Sequence, residues 1–429
     1  MWRLAQDLVP IYRTLVSPGF EQSLELINEY LPLTVKKYPS GQKVFDWTIP
    51  DSWTVKEAYI EDMKGNRLID FKDEPLFVGP YSRPVSAIVE RKELLEHLYS
   101  LPHLPKAIPL CPSYYTKDWK LGVPHSFKEG LQDDYYRVHI NSDFKPSSLC
   151  IGEVYLPGAS QREIIFSTYL CHPFMANDNI SGVVVSVELF KILSAMKKRF
   201  YSYRLIIIPE TIGSVTFLYH HQKEMKNVLG GYAITCCGDR NEITFKKSWA
   251  GDSFVDRAGV QALRERRGNP RIIDFRLSGS DERQFNAPGF RIPMPTVMRS
   301  LPSEFVEYHS SLDNLHCIAP ENLADTLQFI LDTLYILDNN KIYVNKYKTE
   351  PFLTGYGIFK QVRVGDFGVF NKKSSGLDPG YLNQIIIHET DGKQDLVSIA
   401  EKYKCFFDEV KSCSEVFEKA GLIERVDRG

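Results

Sequence analysis

The chain has 429 residues, 43% of them hydrophobic and 25% charged, with 52 basic and 54 acidic side chains. That length exceeds one ordinary core, so two or three domains are expected. The balanced charge excludes a general pull toward nucleic acid or anionic membrane, and no apolar run is long enough to mark a membrane span.

The N-terminal stretch "MWRLAQDLVPIYRTLVSPGFEQSLELINEYL" sets Arg3, Asp7, Arg13 and Glu21 among apolar residues. It predicts amphipathic helices over residues 1–36 and no signal peptide. Residues 40–145 change character. Short alternating runs, Pro50 and a Gly65–Asn66 turn predict a β-rich segment with one short helix in "RKELLEHLYSL". From residue 150 strands and helices alternate: "GEVYLPG", "REIIFSTYL", the helix "NISGVVVSVELFKILSAMKKR", then "YRLIIIPE" and "GGYAITCCG". That order implies an α/β sheet flanked by helices.

"ENLADTLQFILDTLYILDNN" predicts a long amphipathic helix, and "KIYVNKYKTEPFLTG" reads as a linker. Residues 350–429 follow the order of a helix-turn-helix with a wing. Between 346 and 429 there are 13 Lys and Arg against 13 Asp and Glu. The candidate recognition helix "FFDEVKSCSEVFEKA" sets Asp408, Glu409, Glu415 and Glu418 against Lys411 and Lys419. Phosphates repel such a helix, which favours a protein contact over nucleic acid. The eight cysteines lack paired zinc spacing, and Cys236–Cys237 are adjacent. Reduced thiols in a cytoplasmic protein are expected.

In open α/β sheets the site lies past the carboxyl ends of the strands. His172, Glu210 and Cys236–Cys237 all fall there. Each has a plain reading beside the functional one. His172 suits an ordinary hydrogen-bonded histidine, and Asp178, in "NDN", suits a helix cap. Glu210 ends an apolar strand; unless it reaches solvent, it needs a partner, a metal or a proton, and it can serve as a general base. His309, in "VEYHSSLDN", has Asp313 four residues on as a candidate acceptor for its second ring nitrogen. "GSDERQF" supplies Asp281 and Glu282, one of them expected to pair with an arginine. Arg299 is expected to be structural rather than a carboxylate-binding group. His220 and His221 lie along a helix that carries them away from the site.

Together "CHPFMANDNISG", "PETIGS", "GSDERQF" and "YHSSLDN" resemble, in the same order, the zinc aminopeptidases with co-catalytic metals, the group that also contains glutaminyl cyclases. The whole chain resembles a bacterial group of aminopeptidase-like proteins with an inserted β-rich domain and a C-terminal winged helix. The resemblance implies a zinc-peptidase-like (phosphorylase/hydrolase-like) mixed sheet flanked by helices, built from residues 1–39 and 146–345. It implies an insertion over 40–145 and a winged helix over 350–429.

The resemblance also assigns roles. His172, Asp178 and His309 match zinc ligands, with Asp178 in the bridging position. Glu210 matches the general base that activates the attacking water, and Tyr308 the group that stabilises the oxyanion. Zinc acidifies water and polarises the scissile carbonyl. The chain departs from the family at three places. Thr211 stands where a second glutamate ligand belongs, Cys236–Cys237 where an aspartate ligand belongs, and Phe174 where an aspartate orients the first histidine. One zinc per chain rather than two is the economical outcome. Glu210 as a fourth ligand stays open, as does a Cys236 or Cys237 thiolate, although a buried thiol is the plainer reading.

The expected activity is that of a zinc metallo-aminopeptidase-type hydrolase acting on an amide bond near a free amine. Its substrate would be a small peptide or aminoacyl compound, and a homo-oligomer stays open. The alternatives are a non-catalytic zinc-binding protein that uses the winged helix for partner contacts, and amide hydrolysis in surface-polysaccharide metabolism.

Overall fold

The computed structural model describes residues 1–266, 270–277, 279–358, 375 and 377–426. The chain divides into two compact units, Met1–Ser253 with Arg271–Gln328, and Phe254–Pro270 with Phe329–Gly429.

The first unit is built on an eight-stranded mixed sheet. Its spatial order is Thr34–Pro39, Ser148–Leu156, Ser202–Ile208, Glu163–Tyr169, Val228–Ile234, Thr296–Met298, Thr244–Lys246 and Arg271–Ile273. Glu163–Tyr169 runs parallel to both its neighbours. All seven of its residues are buried, which is why "REIIFSTYL" reads as a continuous run and not as alternation. The helix Gly182–Ala195 buries Val183, Val184, Val185 and Val187. Gly182 is required where it stands: a Cβ would lie 2.3 Å from Asn179 Oδ1 and 2.5 Å from the Ile234 carbonyl.

The N-terminal region forms two helices, Trp2–Leu8 and Pro18–Tyr30. Ser17 accepts from the Phe20 amide, and Pro18 occupies the first turn. The helical expectation ends too late: Thr34–Pro39 is an edge strand paired with Ser148–Leu156. Arg13 is completely buried. It donates to the carbonyls of Leu170 and His172, both at 3.0 Å.

Residues within 40–145 form a four-stranded antiparallel sheet in the order Arg67–Asp70, Ser52–Glu61, Tyr135–Lys145 and Val85–Glu90. Tyr135–Lys145 alternates exposed and buried positions over most of its length, as a sheet with one covered face does.

The second unit holds a three-stranded antiparallel sheet in the order Asp391–Asp395, Ile342–Asn345 and Ile423–Val426. Its helices include Pro379–Glu389, Leu396–Tyr403 and Phe407–Lys419. "KIYVN", expected as a linker, instead supplies the middle strand of this sheet, with Tyr343 buried. Phe407–Lys419 buries Phe407, Val410, Ser414 and Phe417. Its Asp408 and Glu418 accept from the hydroxyls of Tyr335 and Tyr343. Part of the stretch expected as a winged helix, 359–374, 376 and 427–429, lies outside the described residues. Among the described residues no helix is long and apolar enough to cross a membrane.

Candidate metal and catalytic site

Three neighbouring strands of the first unit end at the site. His172 follows Glu163–Tyr169, Glu210 follows Ser202–Ile208, and Cys236 follows Val228–Ile234. The turn Ala176–Ser181 then carries Asp178, and the loop after Thr296–Met298 carries Tyr308 and His309.

The "NDN" turn is fixed by its asparagines. Asn179 Oδ1 accepts from the amides of Gly182 and Cys236. Its Nδ2 donates to Thr168 Oγ1 and to the carbonyls of Tyr169 and Ile234. Asn177 Oδ1 accepts from the Gly238 amide. Asn179, not Asp178, therefore accepts from the first amide of the helix that follows, and the Asp178 carboxylate is left to face the site. The Asp178–Asn179 peptide bond is cis.

His172, Asp178 and His309 each offer a ligand atom, and these atoms lie within 4.8 Å of one another. His309 Nε2 is 3.0 Å from Asp178 Oδ2. His172 Nε2 is 4.0 Å from the same oxygen and 3.7 Å from Glu210 Oε2. Asp178 Oδ1 accepts from the Tyr169 hydroxyl. Its Oδ2 and His309 Nε2 are buried and make no hydrogen bond. They face each other at ion-pair distance without a well-aligned hydrogen bond, and with His172 Nε2 beside them they suit a cation held among the three. Burial pushes the Asp178 carboxyl up, but the two histidines and Tyr169 pull it down further, to about 2. Burial alone would lower His309; Asp178, with Glu210 and Asp313, raises it.

The remaining predicted residues surround this set. Glu210 Oε1 accepts from Ser280 Oγ at 2.8 Å. The Tyr308 ring stacks on His309 with centroids 3.8 Å apart. Burial, followed by the charge of Asp178, raises the Tyr308 hydroxyl far above its usual range. Glu210, Tyr308, Tyr169, Cys236, Lys246 and Thr296 line a cavity of about 360 Å³.

Several sequence readings are corrected. Asp313 does not serve His309; its carboxylate accepts the amides of Asn177 and Asp178 at 2.6 and 2.8 Å. Among the described residues neither acid of "GSDERQF" pairs with an arginine. Glu282 pairs with Lys246 at 2.6 Å, and Asp281 accepts from the Thr211 amide and Ser214 hydroxyl. Other expectations agree with the structure. Arg299 is structural, buried and paired with Asp325 at 3.0 Å. His220 and His221 pack on aromatic rings, His220 on Tyr38 and His221 on Phe217.

The departures from the family pattern have visible environments. Thr211, at φ +63°, turns the chain into the helix Ile212–His220. Burial raises the Cys236 thiol well above its usual range. Phe174 packs on Tyr12, with centroids 5.4 Å apart, and on a cluster of Leu76, Ile108, Leu110 and Met175. Sequence reasoning missed Tyr169 and Arg13, because nothing local marks an aromatic or an arginine as the partner of a distant turn.

A family model described as a domain of unknown function (DUF4910) matches residues 2–340. A Clostridium acetobutylicum protein named "Putative polysaccharide biosynthesis protein with aminopeptidase-like domain" is 35% identical over 427 residues, spanning 99% of this chain and 96% of its own. The crystal structure of a "putative peptidase" from Clostridium acetobutylicum matches with a TM-score of 0.87 at 34% identity, covering 99% of this chain and 96% of that one. BSAP, a zinc aminopeptidase from Bacillus subtilis, matches with a TM-score of 0.57 at 16% identity, covering 78% of this chain and 94% of its own. This last likeness is one of fold.

Proposed function

The chain belongs to the DUF4910 family, and from that premise we propose that it is a zinc-dependent hydrolase of the aminopeptidase type, cleaving an amide bond near a free amine. The observation that carries the proposal is the orphaned pair Asp178 Oδ2 and His309 Nε2, set with His172 beside a cavity that Glu210 and Tyr308 line.

His172, Asp178 and His309 would hold the ion, which would supply Lewis-acid polarisation of a carbonyl and acidification of water. Ser280 engages Glu210 Oε1, which leaves Oε2 to take a proton from water and pass it to the leaving amine. Tyr308 stays protonated against His309 and donates to the oxyanion as charge develops there. A single ion fits these residues better than two. Thr211 has no carboxylate to offer, and the Cys236 thiol keeps its proton.

Metal analysis combined with a panel of aminoacyl amides tests this reading. Glu210→Gln should keep the zinc and lose turnover. Full activity in that variant sinks the mechanism, and loss of the metal makes Glu210 a ligand. A second reading, amide hydrolysis in surface-polysaccharide metabolism, rests on the name of the Clostridium acetobutylicum relative. Amide-bearing sugar intermediates therefore belong in the same panel.

We also assign residues 40–145 to an inserted β-rich domain, and the described residues 377–426, with the strand Ile342–Asn345 in their sheet, to a winged helix. The helix Phe407–Lys419 spends Asp408 and Glu418 on tyrosine hydroxyls of its own unit, which supports a packing or protein-contact role.

A further inference from the structure

Ile108–Leu110, a segment of the β-rich insertion, touches both loops that carry the proposed ligands. Toward the His309 loop it uses its backbone. The Leu110 amide donates to the His309 carbonyl at 2.7 Å, and the Ser311 amide donates to the Ile108 carbonyl at 2.8 Å. The Ile108 amide donates to Ser311 Oγ at 3.0 Å, and Pro109 forms an isolated antiparallel bridge with Ser310. Pro109 has no N–H to offer, so both amides of the segment are spent on this one loop.

Toward the other loop the segment uses its side chains. Ile108 and Leu110, two residues apart, share one face of the extended chain. They pack with Leu76 and Met175, and Phe174 joins them. Phe174 and Met175 lie between His172 and Asp178 in the chain.

His309 has φ +53°, a conformation that a residue with a side chain keeps only where its surroundings hold it. The contact from Leu110 falls on the carbonyl of that same residue. Phe174 stands where a carboxylate would orient His172, and it serves instead as the apolar anchor of the segment.

We propose that Ile108–Leu110 is a splint that positions the metal centre, fixing the His309 loop through hydrogen bonds and the His172–Asp178 loop through packing. Its residues are positioning residues and need not touch substrate. This inference rests on the metal reading above.

The test is zinc affinity, measured by competition with a chelator, with the melting of metal-free protein as the folding control. Ser311→Ala removes the acceptor of the Ile108 amide, and Ser311→Thr keeps it. Phe174→Ala loosens the packed side of the splint independently, should Ser311→Ala fail to fold. Folded Ser311→Ala and Phe174→Ala should each lose about 10-fold in zinc affinity, the low end for outer partners of a metal ligand. Ser311→Thr should stay near wild type. Wild-type affinity in the folded alanine variants overturns the splint while leaving the metal reading intact. A wild-type chain that takes up no zinc overturns the metal reading and the splint with it.

Discussion

Asp178 Oδ2 lies 3.0 Å from His309 Nε2, with both atoms buried and neither hydrogen-bonded. A cation held by them would replace a poorly aligned ion pair with two ligand bonds. A ligand that binds only the native state at about 100 times its Kd stabilises that state by about 2.7 kcal/mol. Zinc should therefore raise the melting temperature of the wild type, and a chelator should reverse the rise. Asp178→Asn should show no zinc-dependent rise. A full zinc response in that variant would place the ion elsewhere.

Tyr308 stacks on His309 at the cavity wall. Losing one preorganised donor to a developing oxyanion costs about 100-fold or more in kcat. Tyr308→Phe should show that loss with KM little changed, because the contact is made mainly in the transition state. Steady-state kinetics on the best amide of the panel checks it. An effect on KM alone would make Tyr308 a binding residue.

Asp281 is buried, and one of its oxygens has no partner. Burial first, then the charge of Glu210, pushes its carboxyl up to about 8. A carboxyl raised on folding holds its proton longer in the native state than in the unfolded one. The native state is therefore favoured fully below the unfolded value of about 3.9, and that advantage is lost as pH rises toward 8. Asp281→Asn removes this slope. Denaturant unfolding at pH 5 and pH 8 should show the variant losing less stability across that window than the wild type. Equal losses in the two proteins would refute the assignment.

Phe174 sits among Tyr12, Leu76, Ile108, Leu110 and Met175. Replacing it with the carboxylate of the family pattern would put a charge into an apolar cluster. Phe174→Asp should destabilise by about 3 kcal/mol or more, and it should not raise the zinc content above that of the wild type. Metal analysis of the folded variant checks the second part. A second equivalent of zinc there would show that Phe174 alone limits the centre.

Much of the site was legible because its residues stand at the ends of apolar runs. "REIIFSTYL" and "YRLIIIPE" announce strands, and a strand end fixes where His172 and Glu210 emerge. The errors fell on polar partners. Asp313 was expected to serve His309, four residues away, but it caps the amides of Asn177 and Asp178. Asp281 and Glu282 were expected to meet an arginine, but they meet the Thr211 amide and Lys246. A carboxylate satisfies itself with whichever donor the fold brings near, and no local spacing records that choice.

The sequence by itself determined the alternation of strands and helices from residue 150, the mixed sheet flanked by helices, and the strand-end positions of His172 and Glu210. Hydrophobic periodicity is local, so it is written into neighbouring residues. Only the tertiary structure decided that Asn179 rather than Asp178 accepts from the first amide of the following helix. It also decided that the freed carboxylate meets His309 from far along the chain, and that Ile108–Leu110 joins the two loops. Those outcomes depend on which groups are buried together, where an unpaired polar atom costs more than any local preference can offset.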